Sequence, residues 1–446
     1  MQYKKILFAL FVGTIMFFIA NSIFNQTQAF LLAVIALLVT LWTNEALHLG
    51  VVSLMPIILF PALGILSTKA TTINYAHPII YLFFGGFLLS IAVEKTRLHV
   101  YIADKILNLF PATARGMILS LALTSGLLSS VLSNTTTTLL LIAIALFITD
   151  DAKLKMRLAL AIAYGANIGG IITPIGTPPN LVLLGIMEEH SMEMIPFFQW
   201  IWMVAPLSIV MLVSMGMLLS IGTNDIKIQR NITIQPLTIA QKKVLYLIFA
   251  LVFLLLLNAP MKPFWGGLGL SESGILLGFG LLLFFPPFNI LNWNEDNKKI
   301  PYAIILLFGA GFSIAKAFGV TGLADEVARY LISMTHLSPL ILLIGIAFMI
   351  TFTTEITSNT ALISIMLPVI YAVSEQAGLN TTLFMMVATI CASYAFMLPI
   401  ATPPNAIAMS SGVVHVKDML RYGFILNLLG IFFIAMIAQF FWKSIL

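Results

Sequence analysis

The chain alternates between long apolar runs and short polar segments, and the apolar runs have the length of membrane-spanning helices. A helix needs about 20 apolar residues to cross the hydrocarbon core of a bilayer. Spans are predicted at 6–21, 29–44, 48–66, 78–94, 156–187, 197–221, 242–258, 271–289, 300–317, 382–412 and 419–442. Segments 97–110 and 321–333 instead place apolar residues on one helical face and charges on the other, which predicts interfacial amphipathic helices. The pattern predicts an all-α polytopic membrane protein with about 11 transmembrane helices.

Two apolar stretches, 115–149 and 338–374, are interrupted by polar residues at their centres. The triplet Ser-Asn-Thr occupies 133–135 in the first stretch and 358–360 in the second. A straight span would leave these polar groups in lipid, where an unsatisfied group is costly. A single threonine can bond back to its own helix, but the recurrence of the triplet favours a site. Each stretch is therefore predicted to be a re-entrant hairpin whose polar tip faces a cavity.

Two predicted spans contain a second kind of interruption, a pair of adjacent prolines. The sequence TPIGTPPN occupies 173–180, and PIATPPN occupies 399–405. Proline lacks the backbone donor and disfavours the helical conformation of the residue before it, so neither helix can continue unbroken. Non-helical backbone at membrane depth is tolerated only where it faces protein or a watery cavity. Both breaks are therefore predicted to lie beside the hairpin tips.

These landmarks recur at one fixed offset, which indicates an internal repeat. The pairs 225 residues apart are Ser133 and Ser358, Asn180 and Asn405, Phe87 and Phe312, and Pro61 and Pro286. Five spans per repeat would invert the second copy, as in many secondary transporters. The predicted division is a first transmembrane helix in 1–28, a first repeat in 29–221, a cytoplasmic linker in 222–241 and a second repeat in 242–446. The first helix is expected to be retained rather than cleaved as a signal peptide.

Composition and charge support this topology. Hydrophobic residues make up 60% of the chain and charged residues 9%, too apolar for a soluble protein of 446 residues. With the N-terminus inside, 17 of the 22 lysines and arginines fall on the cytoplasmic side, as the positive-inside rule requires. The C-terminus is then outside, and the first hairpin enters from the cytoplasm and the second from outside. The net charge of +5 therefore requires no nucleic-acid partner.

Several function classes lack the residues that they need. The single cysteine, Cys391, excludes an intramolecular disulfide, and the sequence has no zinc-ligand cluster, P-loop or dinucleotide fingerprint. No catalytic pair is evident, so an enzyme and a bound cofactor are not expected. Glu355, in the second hairpin, is either a proton carrier or a structural hydrogen-bond acceptor for the hairpin backbone.

The two tips and two breaks offer hydroxyl, amide and carbonyl groups but no Lys, Arg or His. Oxygen ligands suit a hard cation such as Na⁺, whereas amide, hydroxyl and helix N-terminal donors suit a carboxylate. Two copies of this set suit a dianion and two coupling ions.

The motifs SNT, TEITSNTA at 354–361, GTPPN at 176–180 and ATPPN at 401–405 together resemble the divalent anion/sodium symporter family. The resemblance extends over nearly the whole chain. It implies a bacterial inner (plasma) membrane protein that works as a homodimer among membrane lipids, by an elevator motion. The family carries dicarboxylates, citrate or sulfate. The absence of a basic residue at the matching positions favours sodium-coupled symport of succinate, malate and fumarate.

The resemblance implies site residues position by position. The sodium ligands would be Ser129, Ser133, Asn134, Gly176, Thr354, Thr357, Asn359 and Ala401. The substrate ligands would be Asn134, Thr135, Thr177, Asn359, Thr360, Thr402 and Pro403.

Alternatives remain at this point. They are a sodium-independent dicarboxylate exchanger, a citrate or sulfate transporter of the same family, and a cation/proton antiporter that would depend on Glu355. A channel would need equivalent units around an axis.

Overall fold

The computed structural model describes residues 2–223, 235–260, 265–331 and 338–446. These residues form α-helices joined by short turns, with three short 3₁₀ segments and no strand among them. The α-helices are α1 Gln2–Asn21, α2 Gln26–Asn44, α3 Leu49–Ala62, α4 Thr68–Thr72, α5 Pro78–Lys95, α6 Leu98–Leu109, α7 Ala114–Ser129, α8 Asn134–Phe147, α9 Ala152–Gly170, α10 Pro178–Glu189, α11 Phe197–Ser220, α12 Ile239–Asn258, α13 Glu272–Leu282, α14 Trp293–Asp296, α15 Tyr302–Val320, α16 Leu323–Leu331, α17 Pro339–Thr353, α18 Asn359–Gln376, α19 Thr381–Ala392, α20 Pro403–Ser410 and α21 Val416–Phe440.

The prediction of an all-α membrane protein is confirmed. Among the described residues, seven helical segments are long and apolar enough to cross a membrane, and six shorter helices are also apolar. Local sequence signals start several of the long helices. Asn25 forms a capping box at the start of α2, and Thr238 forms one at the start of α12. In each box a side chain accepts a hydrogen bond from a first-turn N–H that has no backbone partner in the helix.

Two predicted spans are longer than the helices that the structure shows. The predicted span 48–66 is helical only over Leu49–Ala62, and its end follows Pro61. The predicted span 271–289 ends as a helix at Leu282, before Pro286 and Pro287. Proline itself sets neither end, because α3 runs through Pro56 and Pro61. Helix α3 stops at a left-handed Gly64, where the Ile65 N–H donates to the Phe60 oxygen at 2.9 Å. After α13 the chain folds back, and the Leu283 oxygen accepts from the N–H groups of Ile290 and Leu291 at 2.8 and 3.1 Å.

Both double-proline motifs break their helices, as predicted. The predicted span 156–187 consists of α9 and α10, and the predicted span 382–412 consists of α19 and α20. The first pair of prolines occupies the first two positions of α10, and the second pair those of α20. A missing backbone donor costs nothing there, because the first N–H groups of a helix have no partner within it.

The segments 115–149 and 338–374 each fold into two helices with the polar triplet at the junction. The first contains α7 and α8, and the second α17 and α18. Each short helix that follows a break packs on the hairpin from the other half of the chain. Helix α10 packs against α18 and α19, and α20 packs against α8 and α9. The hairpins and breaks therefore form one bundle.

Helix α9 lies at the centre of this bundle, with every side chain from Leu158 to Gly170 buried. Small residues permit its close approach to α7. A Cβ atom on Gly169 would lie 2.1 Å from the backbone oxygen of Gly126, so only glycine fits at this crossing. The larger apolar core surrounds this region, and a second core packs α2 and α3 against α15.

The first amphipathic segment is helical as predicted, and α6 buries Leu98, Ala103 and Leu107. The second one, predicted at 321–333, is helical over Leu323–Leu331. Its last residues lie outside the described part of the chain. So do residues 224–234 of the predicted linker 222–241.

Candidate functional site

The tip of the first hairpin places two oxygen atoms side by side. Ser133 caps α8 by accepting a hydrogen bond from the Thr136 backbone at 3.1 Å, which makes Asn134 the first helical residue. The Ser129 hydroxyl, at the end of α7, donates to Oδ1 of Asn134 at 2.6 Å. The chain reversal thus brings a hydroxyl and an amide oxygen close enough to ligate one cation together.

Two glycines hold the first break against this tip. A Cβ atom on Gly170 would lie 2.7 Å from Oδ1 of Asn134, and one on Gly176 would lie 2.3 Å from the Gly170 backbone oxygen. Neither position tolerates a side chain without displacement of its neighbours. The Asn134 amide therefore lies directly against the end of α9.

Side-chain hydrogen bonds keep the break in place. Asn180 Nδ2 donates to the backbone oxygen of Thr173 at 2.8 Å and to that of Gly170 at 3.4 Å. The Thr173 hydroxyl donates to the Ser130 backbone oxygen at 2.5 Å, which joins the break to the hairpin tip. Thr177 is buried at the start of α10.

The second half of the chain repeats two of these contacts at the offset of 225 residues. The Thr354 hydroxyl donates to Oδ1 of Asn359 at 2.6 Å, as Ser129 does to Asn134. Asn405 Nδ2 donates to the backbone oxygens of Ala395 and Leu398 at 2.9 and 3.0 Å. Those acceptors are the counterparts of Gly170 and Thr173. The sequence repeat is therefore also a repeat of hydrogen bonds.

Glu355 has no carboxylate counterpart in the first half, where Ser130 occupies the equivalent position. Its Oε1 accepts from the backbone N–H groups of Phe396 and Met397 at 2.7 and 2.9 Å and from Asn427 Nδ2 at 2.7 Å. Its Oε2 accepts from the Leu398 N–H at 3.0 Å. One alternative for Glu355 was a hydrogen bond to the backbone of its own hairpin. That partner is wrong, because Glu355 accepts from the backbone of the second break instead. Four donors on a buried carboxylate suit a fixed acceptor rather than a group that gains and loses a proton.

The sequence pattern missed Asn167, which connects the two half-sites. Its side chain is 1% exposed on α9, and Nδ2 lies 3.1 Å from the Thr402 hydroxyl and 3.3 Å from both Oδ1 of Asn405 and the Ala395 backbone oxygen. Asn167 is about one helical turn from Gly170, which contacts Asn134. The polar residue within the small-residue run AYGANIGG was its one sequence signal.

The residues predicted to form the site differ in exposure. Ser133 and Pro403 are exposed. The half-buried members are Asn134, Thr135, Thr357 and Asn359. The buried members are Ser129, Gly176, Thr177, Thr354, Thr360, Ala401 and Thr402.

The arrangement offers hydroxyl and amide groups beside helix N-termini. Asn134 and Asn359 begin α8 and α18, and Thr177 and Thr402 precede α10 and α20. Helix N-termini carry partial positive charge and free N–H groups, so they favour anions. One predicted ligand, Thr357, donates its hydroxyl to the Thr353 backbone oxygen at 2.9 Å.

Comparison with known proteins gives a consistent result. A family model described as Citrate transporter matches residues 35–389. The chain is 31% identical to the sodium-dependent dicarboxylate transporter SdcS of Staphylococcus saprophyticus, over 97% of this chain and 89% of the relative. It is also 31% identical to SdcS of Staphylococcus aureus strain NCTC 8325, over 97% and 91%.

Two solved structures share the fold at low identity. The YdaH transporter of Alcanivorax borkumensis superposes with a TM-score of 0.59 at 13% identity, over 84% of this chain and 88% of that one. Neisseria gonorrhoeae MtrF gives a TM-score of 0.59 at 13% identity, over 84% and 83%. These structures show the fold, and the family model and the near full-length sequence relatives agree with the motifs at both half-sites. The chain therefore belongs to the divalent anion/sodium symporter family of membrane transporters.

Proposed function

We propose that the chain is a sodium-coupled symporter of C4-dicarboxylates such as succinate, malate and fumarate. The observation that carries the proposal is the paired hydroxyl–amide oxygen contact, Ser129 with Asn134 and Thr354 with Asn359, each at 2.6 Å and each at a helix N-terminus. Two half-sites related by the repeat fit a substrate with two carboxylate ends. The related SdcS proteins are described as sodium-dependent dicarboxylate transporters.

The substrate carboxylates are proposed to bind the donor groups of the two half-sites. One carboxylate would bind Asn134, Thr135 and Thr177. The other would bind Asn359, Thr360, Thr402 and Pro403. Amide and hydroxyl donors next to helix N-termini supply hydrogen bonds to an anion without a charged side chain.

The sodium ions are proposed to bind on the oxygen side of the same tips. The first site would use Ser129, Ser133, Asn134 and Gly176. The second would use Thr354, Thr357, Asn359 and Ala401. For Na⁺ to bind between the paired oxygens, the Ser129 and Thr354 hydroxyl hydrogens must turn away from the amide oxygens. Ion binding then replaces one hydrogen bond at each tip with two metal–oxygen contacts.

Charge balance explains why the two ligands should bind together. A dianion in a low-dielectric membrane domain is costly unless it is paired. The tip and break segments contain no Lys, Arg or His, so the protein supplies no fixed cation there. Two Na⁺ ions would neutralise the substrate, and each ligand would raise the affinity for the other by the same factor.

The architecture supports further parts of the proposal. Each short helix after a break packs on the opposite hairpin, so both half-sites could move as one body in an elevator motion. We place the N-terminus in the cytoplasm and the C-terminus outside, with inverted repeats in 29–221 and 242–446. A homodimer in the bacterial plasma membrane, surrounded by lipid, completes the proposed arrangement.

Citrate is the second candidate substrate, because the matching family model is described as Citrate transporter. Its third carboxylate would need a third set of donors. The two half-sites repeat at a single offset and provide two sets.

The proposal is tested with purified protein in a thermal-shift titration and in proteoliposomes. Succinate should stabilise the protein strongly in NaCl and hardly at all in choline chloride. Uptake of labelled succinate should require an inward sodium gradient. Equal stabilisation in both salts would point to a sodium-independent exchanger, and citrate uptake in excess of succinate uptake would favour the second candidate.

A further inference from the structure

We propose that Asn167 is a positioning residue that holds the Thr402 hydroxyl as a hydrogen-bond donor toward a substrate carboxylate. This inference rests on the proposed function, because it requires a carboxylate at Thr402. It adds that the two half-sites differ in what they accept, although both contain the hydroxyl–amide pair and the asparagine that bonds the break.

The carbonyl groups around Asn167 determine which way its amide points. Backbone oxygens can only accept hydrogen bonds, and Asn405 Nδ2 lies 2.9 and 3.0 Å from those of Ala395 and Leu398. Asn405 therefore presents Oδ1 to Asn167. Nδ2 of Asn167 therefore faces acceptors only, and it has two hydrogens for three of them. We assign one hydrogen to the nearest acceptor, Thr402 Oγ1 at 3.1 Å, and the other is shared between Asn405 Oδ1 and the Ala395 oxygen, both at 3.3 Å.

The orientation of Asn167 then determines the role of the Thr402 hydroxyl. Nδ2 of Asn167 donates to Thr402 Oγ1 at 3.1 Å, and the Asn405 backbone N–H donates to the same oxygen at 3.4 Å. A hydroxyl oxygen has two acceptor positions and one hydrogen. Both acceptor positions of the Thr402 oxygen are used, so the hydroxyl can make a further hydrogen bond only by donating its hydrogen. Thr402 is thus suited to a carboxylate oxygen and unsuited to a cation or to another donor.

The first half-site lacks this arrangement. The counterpart of Asn167 at the repeat offset is Ala392, whose side chain carries no donor. Asn180 Oδ1 has no hydrogen-bond partner among the residues that the structure describes. The equivalent atom in the second half, Oδ1 of Asn405, accepts from Asn167. The Thr177 hydroxyl makes no capping bond to α10, whereas Thr402 caps α20. The hydroxyl of Thr177 is therefore free to turn as donor or acceptor.

The difference predicts an asymmetric requirement for the substrate. The end at Thr402 must offer an acceptor oxygen, which an ionised carboxylate does and a group that can only donate does not. The end at Thr177 can also be a group that donates, such as a hydroxyl or a protonated carboxyl. Asn167 would thereby select which end of an unsymmetrical substrate enters each half-site.

A double-mutant cycle on succinate uptake tests whether Asn167 acts through Thr402. Thr402→Val removes the hydrogen bond to a charged group and should raise KM by roughly 10- to 100-fold. Asn167→Ala leaves the hydroxyl but frees its rotation, so KM should rise by roughly 3- to 10-fold. The double variant should match Thr402→Val within about twofold, because no hydroxyl remains to be positioned. In a control cycle that combines Asn167→Ala with Thr177→Val, the two effects should multiply.

The readouts separate positioning from a general structural role. Thermal stabilisation by NaCl alone should be unchanged in Asn167→Ala, because Asn167 contacts neither oxygen pair. If Asn167→Ala does not reconstitute, Asn167→Ser shortens the side chain beyond reach of Thr402 and serves in the same cycle. Multiplied effects in the Thr402 cycle, or an unchanged KM in Asn167→Ala, would overturn the inference. The unmodified chain is assayed first, so failure of the proposed function would show there and not in the comparison of variants.

Discussion

Replacement of Glu355 by glutamine tests whether this buried carboxylate holds the second break in place. The four donors on Glu355 are the backbone N–H groups of Phe396, Met397 and Leu398 and the side-chain amide of Asn427. Glutamine preserves the shape, but its single oxygen can face only one side. The best orientation keeps the three contacts to Oε1 and turns the new NH₂ group toward the Leu398 N–H.

The expected cost follows from these contacts. One bond is replaced by a contact between two donors, at about 1–3 kcal/mol for the unsatisfied N–H. The other three bonds lose their charge and about half of their strength, a further ~2–4 kcal/mol. The neutral amide is easier to bury than the carboxylate, which offsets part of this loss. We expect a net destabilisation of about 2–4 kcal/mol, located at the backbone before Thr402.

The measurements are the melting temperature in detergent and sodium-driven succinate uptake. Thr173→Val is the matched control, because the Thr173 hydroxyl makes the corresponding contact between hairpin tip and first break, to the Ser130 oxygen. It removes one neutral bond and should lower stability by only about 1 kcal/mol. Glu355→Gln should lower the melting temperature more than the control does and should abolish most uptake. A variant with normal stability that instead loses a proton dependence of transport would refute the structural role and favour a proton carrier.

Two further predictions follow from the packing and the proposed topology. Gly170→Ala should reduce uptake by more than tenfold, because the new Cβ atom would lie 2.7 Å from Oδ1 of Asn134. Gly345→Ala is the control: its Cβ atom would meet nothing within 4 Å, so this variant should transport normally. The second prediction uses single cysteines in a Cys391→Ser background and an impermeant thiol reagent. Gln376→Cys should react from outside, and Ala152→Cys should react only from inside. Both positions are exposed, and each follows one of the two oppositely oriented hairpins. Labelling of both from one side would contradict the inverted repeat.

The helical class, the two breaks and the residues at the hairpin tips could be predicted from the sequence because their signals are local. A polar triplet within an apolar run is unstable in lipid wherever the run is placed. Adjacent prolines end a helix through their own covalent structure. The offset of 225 residues then pairs the two halves without knowledge of any contact.

Other features depend on contacts that no local pattern encodes. Gly176 and Ala401 occupy equivalent positions, yet a Cβ atom on Gly176 would lie 2.3 Å from the Gly170 backbone oxygen, so alanine is accommodated only in the second half. The helix boundary near Leu282 likewise depended on how the chain packs before its prolines.

The partners of Glu355 and Asn167 were decided by the tertiary structure alone. Glu355 binds backbone 41 to 43 residues away, and Asn167 binds Thr402, which is 235 residues away. An isolated glutamate or asparagine in an apolar helix indicates only that a polar partner must exist, because an unpaired buried polar group is costly. Which group satisfies that need depends on how helices distant in sequence cross. At this site the crossing of α9 with the second break joins the two repeated halves.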